Sequence, residues 1–225
     1  MLEDKAQPLK DKVFAYYKDE TLTYEELNDK ANRIANSLIK EMGVKKGDRV
    51  AVMFSNCMDY ILLQFGIAKS GGLQVPINIE AKGDLLAHFL NNSNPEVLII
   101  GQKFLPLVKE VEHLLAKVPK ILVFSSGVSG EQISFEKKIE KIPFEELFIG
   151  SSDPPPVRLK RTDPIDIFYP QVLRVLPRAW YCHTTITMFF QWILWSTGGW
   201  DLMISFTPAY RITTEQHNIW SLYPL

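Results

Sequence analysis

Cysteine is almost missing from this sequence. Cys57 and Cys182 are the only two in 225 residues, too few for a disulfide framework and without metal-ligand spacing, so a reducing compartment is the simpler expectation. An excess of charge is missing as well. Twenty-five Lys and Arg against 26 Asp and Glu leave a formal charge of −1, which excludes a strongly basic overall balance and argues against a nucleic-acid partner. No apolar run approaches the roughly 20 residues that cross a bilayer; the longest lies near Met188 to Leu194. The opening Met1-Leu2-Glu3-Asp4-Lys5-Ala6-Gln7 has no apolar segment of a secretory signal. The expectation is a soluble intracellular protein, cytoplasmic or peripheral on an organelle membrane, with peripheral membrane contact left open. Internal repeats and low-complexity tracts are lacking too. The last absence is local: residues 170–175 read Pro-Gln-Val-Leu-Arg-Val, without one Gly, Ser or Thr.

What is present is an alternation of short apolar runs and helical patterns. Val13 to Tyr17 and Thr21 to Thr23 have strand character around a turn at Lys18-Asp19-Glu20. Thr23 precedes Glu26 by three residues, the spacing of a reciprocal cap, which predicts a helix from Tyr24 to Met42 stopped by Gly43. Leu27, Ala31, Ile34, Ala35 and Leu38 supply its apolar face. Strands are predicted at Arg49 to Phe54, Leu73 to Ile77, Val97 to Ile100 and Ile121 to Phe124. Helices are predicted at Asp59 to Lys69, Asp84 to Leu90 and Leu105 to Ala116. Such alternation predicts an α/β fold with a mostly parallel sheet flanked by helices. From Ser125 the pattern weakens into a polar stretch ending in the stiff Asp153-Pro154-Pro155-Pro156, expected to be a surface excursion between two sub-sheets. Ile165 to Tyr169 then reads as a strand and Thr184 to Trp195 as an aromatic-rich helix.

Several of these segments together carry a resemblance. Leu22-Thr23-Tyr24, Gly47-Asp48-Arg49-Val50-Ala51 and Val75-Pro76-Ile77-Asn78 resemble the N-terminal part of an adenylate-forming, AMP-dependent acyl-CoA synthetase. Asn78-Ile79-Glu80-Ala81-Lys82-Gly83-Asp84-Leu85 looks closest to the fatty-acid-transport-type and carnitine-CoA-ligase-type branches. The resemblance implies the N-terminal-domain portion of that fold, incomplete at its C-terminal side. It divides the chain into an α/β subdomain over 1–169, an altered phosphate-loop segment over 170–182, and the start of a second α/β subdomain over 183–225. It implies ATP, Mg2+ and coenzyme A as cofactors and a small-molecule carboxylate or fatty acid as partner. A homo-oligomer is the further partner that this reading allows.

In that family a Thr-Ser-Gly-Thr-Thr-Gly-x-Pro-Lys loop follows a strand like Asp163 to Tyr169. Glycines let backbone N–H groups approach the phosphates, and the lysine and hydroxyls meet the charge that builds as a carboxylate attacks the α-phosphate. Here only Leu176-Pro177-Arg178 echoes the end of that loop. Pro170 lacks an N–H, and Val172, Leu173 and Val175 bring β-carbons where glycine would allow close approach. Arg178 offers a planar fork where an ammonium is expected. Shifting the reading frame by one base over residues 170–183 permits Ser-Gly-Thr-Thr-Gly-x-Pro-Lys-Gly-Val-Val-Leu-Ser, which points to a coding-frame disturbance. The alternative is a chain that truly encodes this loop and has lost the activity.

The resemblance makes Pro177, Arg178, His183 and Thr184 the remnant of the ATP loop, with a helix-start cap as the other reading of His183. Pro208-Ala209-Tyr210-Arg211 resembles a Pro-x-aromatic-His motif in which Arg replaces His. Tyr210, Phe190 and Trp192 are candidate acyl-side residues, although aromatics at helical spacing also serve as plain core. No catalytic residue and no metal ligand can be assigned. His88 and His113 read as structural, and Cys57 as either a helix-start thiolate or a small buried hydrophobe. The C-terminal domain that supplies a second lysine in this family is expected to be absent from a chain ending at Leu225. The reading is therefore an acyl-CoA ligase fragment, inactive by itself. The alternatives are a catalytically dead acyl-binding or dimer-interaction protein, or a chain without a stable fold.

Overall fold

The computed structural model describes residues 2–117, 119–124, 135, 141–160, 162–169, 180–183, 202–204, 210–211 and 223–224. They fall into two compact units, Met1–Asn28 with Thr197–Leu225, and Asp29–Ser196. The first unit opens with a short helix α1 (Leu2–Ala6), followed by the hairpin β1 (Val13–Tyr17) and β2 (Glu20–Thr23). Lys18 takes φ 51 in the hairpin turn. Helix α2 (Tyr24–Lys40) begins where the Thr23 cap predicts. It stops two residues earlier than expected, ahead of Gly43 at φ 72.

The second unit is built on a seven-stranded sheet. Its elements run β3 (Arg49–Met53), α3 (Met58–Ser70), β4 (Leu73–Pro76), α4 (Gly83–Ser93), β5 (Val97–Gly101), α5 (Leu105–Val111), β6 (Lys120–Phe124), β7 (Lys141–Pro143), β8 (Pro164–Phe168) and β9 (Trp180–His183). Strand order is β7-β6-β5-β3-β4-β8-β9. Every pairing is parallel except β8 with β9. The chain leaves β3 toward β4 on one side, then crosses back past β3 to β5. With right-handed crossovers these opposite moves put α3 and α4 on opposite faces of the sheet.

Strand register then decides what each face buries. Ala51, Met53, Leu73, Val75, Leu98, Ile100, Ile121 and Ile167 point one way and pack with Leu86, Phe89 and Leu90 of α4 and Val108 of α5. The middle of that face is a continuous apolar cluster. On the other, α3 is so deeply buried that only close approach fits it against α2: a Cβ on Gly66 would lie 2.4 Å from Ile34 Cγ2. The central strands β4 and β5 are buried along their whole length, as expected of parallel strands covered on both sides.

Two expectations need correction. The helix expected over Leu105 to Ala116 ends at Val111, and Glu112–Leu114 tighten into a 3-10 turn. Asn91 explains the stop: its Nδ2 donates to Leu114 O at 2.9 Å and its Oδ1 accepts from Ala116 N at 2.8 Å, giving those backbone groups partners outside the helix. The stretch after Ser125 is not simply an excursion between two sub-sheets. Within it β7 extends the same sheet beside β6, Phe144 and Leu147 are buried, and β8 returns to pair with β4 in that sheet. The driving force is a few apolar residues set in charged sequence, too sparse to show periodicity. Of the helix expected over Thr184 to Trp195 nothing is described.

The first unit is completed by β10 (Leu202–Ile204), which pairs antiparallel with β1. A two-stranded ribbon of β11 (Tyr210–Arg211) and β12 (Tyr223–Pro224) also belongs to it.

Candidate functional site

In an open parallel sheet, ligands meet the loops beyond the carboxyl ends of the strands, where successive connections diverge to opposite faces. Here that place lies beyond β3, β4 and β8. After β3 the chain turns through Ser55-Asn56-Cys57 into α3, with Cys57 half-exposed at the N-cap in an extended conformation and making no side-chain cap bond. Cys57 therefore stands at a helix start, as one of its two readings places it, and is not the buried hydrophobe of the other. After β4, Ile77 N still donates to Val52 O at 2.9 Å, and Asn78 Oδ1 accepts from Glu80 N at 2.9 Å, bending the chain toward α4. Gly101, ending β5, lies so near Phe54 that an added Cβ would sit 3.1 Å from the Phe54 Cβ. Phe54, Phe124 and Phe144 form an aromatic group at this edge, with Phe54 stacked on Phe124 at 4.9 Å.

Strand β8 is tied at both ends. At its entry Lys46 Nζ bonds the Asp163 carboxylate and Arg158 O. The Lys160 backbone N–H and the Lys46 ammonium together hold the Asp163 carboxyl below its usual value. At its exit Tyr169 packs on Phe89 with ring centroids 4.8 Å apart, and its hydroxyl donates to Asn92 Oδ1 at 2.9 Å. The chain therefore reaches the carboxyl edge, next to β4, at a fixed point.

Few of the residues singled out by sequence can be placed there. Pro177, Arg178, Thr184, Phe190 and Trp192 lie outside the described residues. His183 is the last residue of β9 and pairs with Pro164, while Trp180 pairs with Phe168. His183 is thus at the entry end of β8, in a strand and not at a helix start. Tyr210 lies in β11 opposite Pro224. His113 is in the 3-10 turn after α5, and His88 is on α4 with a buried Nε2 that has no hydrogen-bond partner. Among the described residues no group of His, Cys, Asp and Glu could hold a metal ion, and no helix is long and apolar enough to cross a membrane.

Sequence reasoning passed over one polar group. Asp166, in the middle of β8, is 1% exposed, and so is Gln74, its register partner on β4. Gln74 Nε2 donates to the Tyr60 hydroxyl at 3.0 Å. A carboxylate between Ile165 and Ile167 in a strand buried on both faces was the signal that could have found it.

Residues 2–169 match the family described as AMP-binding enzyme. Long-chain fatty acid transport protein 6 of Mus musculus is 31% identical over 145 residues, covering 64% of this chain and 22% of that protein. Crotonobetaine/carnitine–CoA ligase of Salmonella paratyphi A is 40% identical over 91 residues, 40% of this chain and 17% of that protein. The chain thus spans about a fifth of the length of these curated relatives. Among solved structures, the anthranilate CoA ligase AuaEII in complex with anthranoyl-AMP superposes with a TM-score of 0.69 over 81% of this chain and 33% of that one, at 23% identity, a likeness of fold. A fatty acyl CoA synthetase of Mycobacterium tuberculosis superposes with a TM-score of 0.61 over 81% and 33% of the two chains, at 25% identity.

Proposed function

The chain belongs to the AMP-binding enzyme family, and from that membership we propose that it carries the N-terminal α/β scaffold of an AMP-dependent acyl-CoA ligase without the phosphate grip needed to use it. The intact enzyme type joins a small-molecule carboxylate or fatty acid to coenzyme A. The observation that carries the proposal is the fixed exit of β8 at Tyr169, followed in sequence by Pro170-Gln171-Val172-Leu173-Arg174-Val175. ATP would present its phosphates to backbone N–H groups at that exit. Residues 170–175 offer one fewer N–H than six residues ordinarily would, and β-branched or bulky side chains in place of glycine. They do not fit the nucleotide. The division of roles follows: scaffold over 1–169, altered loop over 170–182, and the beginning of a further subdomain from 183.

The test is carboxylate-dependent ATP–pyrophosphate exchange by the 225-residue chain across short- to long-chain acids, with equilibrium dialysis against ATP. Neither exchange nor ATP retention is expected. Exchange that disappears in Arg178→Ala would overturn the reading. Sequencing the transcript across the codons for Tyr169 to His183 separates the two origins: a restored glycine and hydroxyl loop means a coding-frame disturbance, and confirmation of every residue means a loss of activity.

The second reading, an acyl-binding or dimer-interaction protein derived from this family, is favoured by the buried core that persists up to Tyr169. Saturable fatty-acid binding without ATP turnover supports its acyl form, and absence of binding removes it.

A further inference from the structure

We propose that Asp166 is kept as a neutral carboxylic acid that donates its hydroxyl hydrogen to Gln74 Oε1, closing a buried Asp166–Gln74–Tyr60 chain that locks β8 onto the sheet. The argument begins with unpartnered atoms. Gln74 Oε1 and both carboxyl oxygens of Asp166 are buried and accept no hydrogen bond. All belong to two residues that face each other across neighbouring parallel strands and point to the same side of the sheet. Three acceptors together in an apolar core are costly, because each gives up water without a replacement. One proton removes most of that cost. A protonated Asp166 becomes a donor, Gln74 Oε1 gains the hydrogen it lacks, and Gln74 Nε2 already donates to the Tyr60 hydroxyl at 3.0 Å. Every bond then runs in one direction, from Asp166 to Gln74 to Tyr60.

The surroundings favour the neutral form. Burial pushes the Asp166 carboxyl up to about 8, and among the described residues no ammonium or guanidinium bonds it. From α3 the facing titratable group is the Tyr60 phenol, itself raised by burial, then by Asp166, and also by the Cys57 thiol. From β4 the facing group is the uncharged Gln74. On β9, Cys182 stands at the register position opposite Asp166. Among the described residues a carboxylate here would have no bonded cation to balance it.

The consequence is positional. Gln74 and Asp166 form the register pair that joins β8 to β4, three residues before Tyr169 brings the chain to the carboxyl edge. Asp166 is thus a positioning residue for that edge.

Infrared difference spectroscopy of the intact chain tests this directly. At pH 6 the wild type should show the C=O stretch of a protonated carboxyl, which fades as pH is raised past about 8. Asp166→Asn, whose amide N–H replaces the acid O–H, should lack the band at every pH. Its urea midpoint should stay level from pH 5 to 8 while that of the wild type falls. A wild-type spectrum without the acid band at pH 6 overturns the proposal: Asp166 is then ionised, either under a reversed Gln74 amide or beside a bound cation. Parallel pH curves for the two proteins overturn it as well. The wild-type spectrum stands alone, so a variant that fails to fold leaves the test intact.

Discussion

Thr23 and Glu26 satisfy each other's backbone at the start of α2. Glu26 N donates to Thr23 Oγ1 at 3.2 Å, and Thr23 N donates to Glu26 Oε2 at 2.9 Å. Helix starts leave such N–H groups without intrahelical partners, so the cap replaces water with protein at two of them. Thr23→Ala should cost about 1 kcal/mol of unfolding free energy, measured as a lowered urea midpoint with an unchanged slope. Thr23→Ser should retain most of it. This cap was legible because both partners lie within four residues of sequence. Asp166 was not, because its meaning depends on Gln74, more than ninety residues earlier, and on a strand neighbour that only the fold supplies.

At the scale of elements, local pattern and long-range contact part company in the same way. Strands β1, β3, β4, β5, β6 and β8 fall within a residue or so of where apolar runs predict them, since period and run length are properties of the segment itself. Strand β7 and the segment behind it were missed, because β7 is held by its ladder with β6 and the segment behind it by side chains of α2. Asn36 Nδ2 donates to Ser151 O and Asp153 O, both at 2.8 Å, and Asn32 Nδ2 donates to Ser152 O at 2.8 Å. Ser37 Oγ accepts from Gly150 N at 3.1 Å. These side chains interrupt the polar exterior expected of a helix: Asn32, Asn36 and Ser37 are all buried. Gly150 fits so closely that an added Cβ would lie 2.4 Å from Arg33 O, a backbone atom that cannot swing away. Asn36→Leu leaves two carbonyls without donors and should destabilise by about 2–3 kcal/mol. Gly150→Ala should have a comparable effect through overpacking, about 1–3 kcal/mol. Chemical denaturation measures both. Limited proteolysis should then cut near residues 150–153 in the variants before the sheet is lost, since the clamp is what secures that segment.

The whole molecule sums two carboxyls, one just before β8 and one within it, that respond to pH in opposite senses. Asp163 is held below its ordinary value by the Lys160 backbone N–H and Lys46, so the unfolded chain binds its proton first as acid is added. Its contribution is present above about pH 4, near the unfolded value of 3.8, and is lost as pH falls through the folded value. Asp166 is raised from 3.8 to about 8. Between those values the folded chain holds the extra proton, so this contribution is complete below about pH 4 and is lost as pH rises toward 8. Stability should therefore peak in the mildly acidic range and decline on both sides. Asp163→Asn should flatten the acid limb and leave the other unchanged. Asp166→Asn should flatten the limb between about 4 and 8 alone. Three residues along a strand separate the groups by roughly 10 Å, and Asp163 faces Lys46 at the strand entry while Asp166 faces Gln74 within the sheet. At that separation the double variant should equal the sum of the singles to within about 0.5 kcal/mol. Urea midpoints measured from pH 3 to 9 for the four proteins decide it. A double variant that departs from the sum would mean that β8 moves as one body, with the ties at its entry and at its middle acting together.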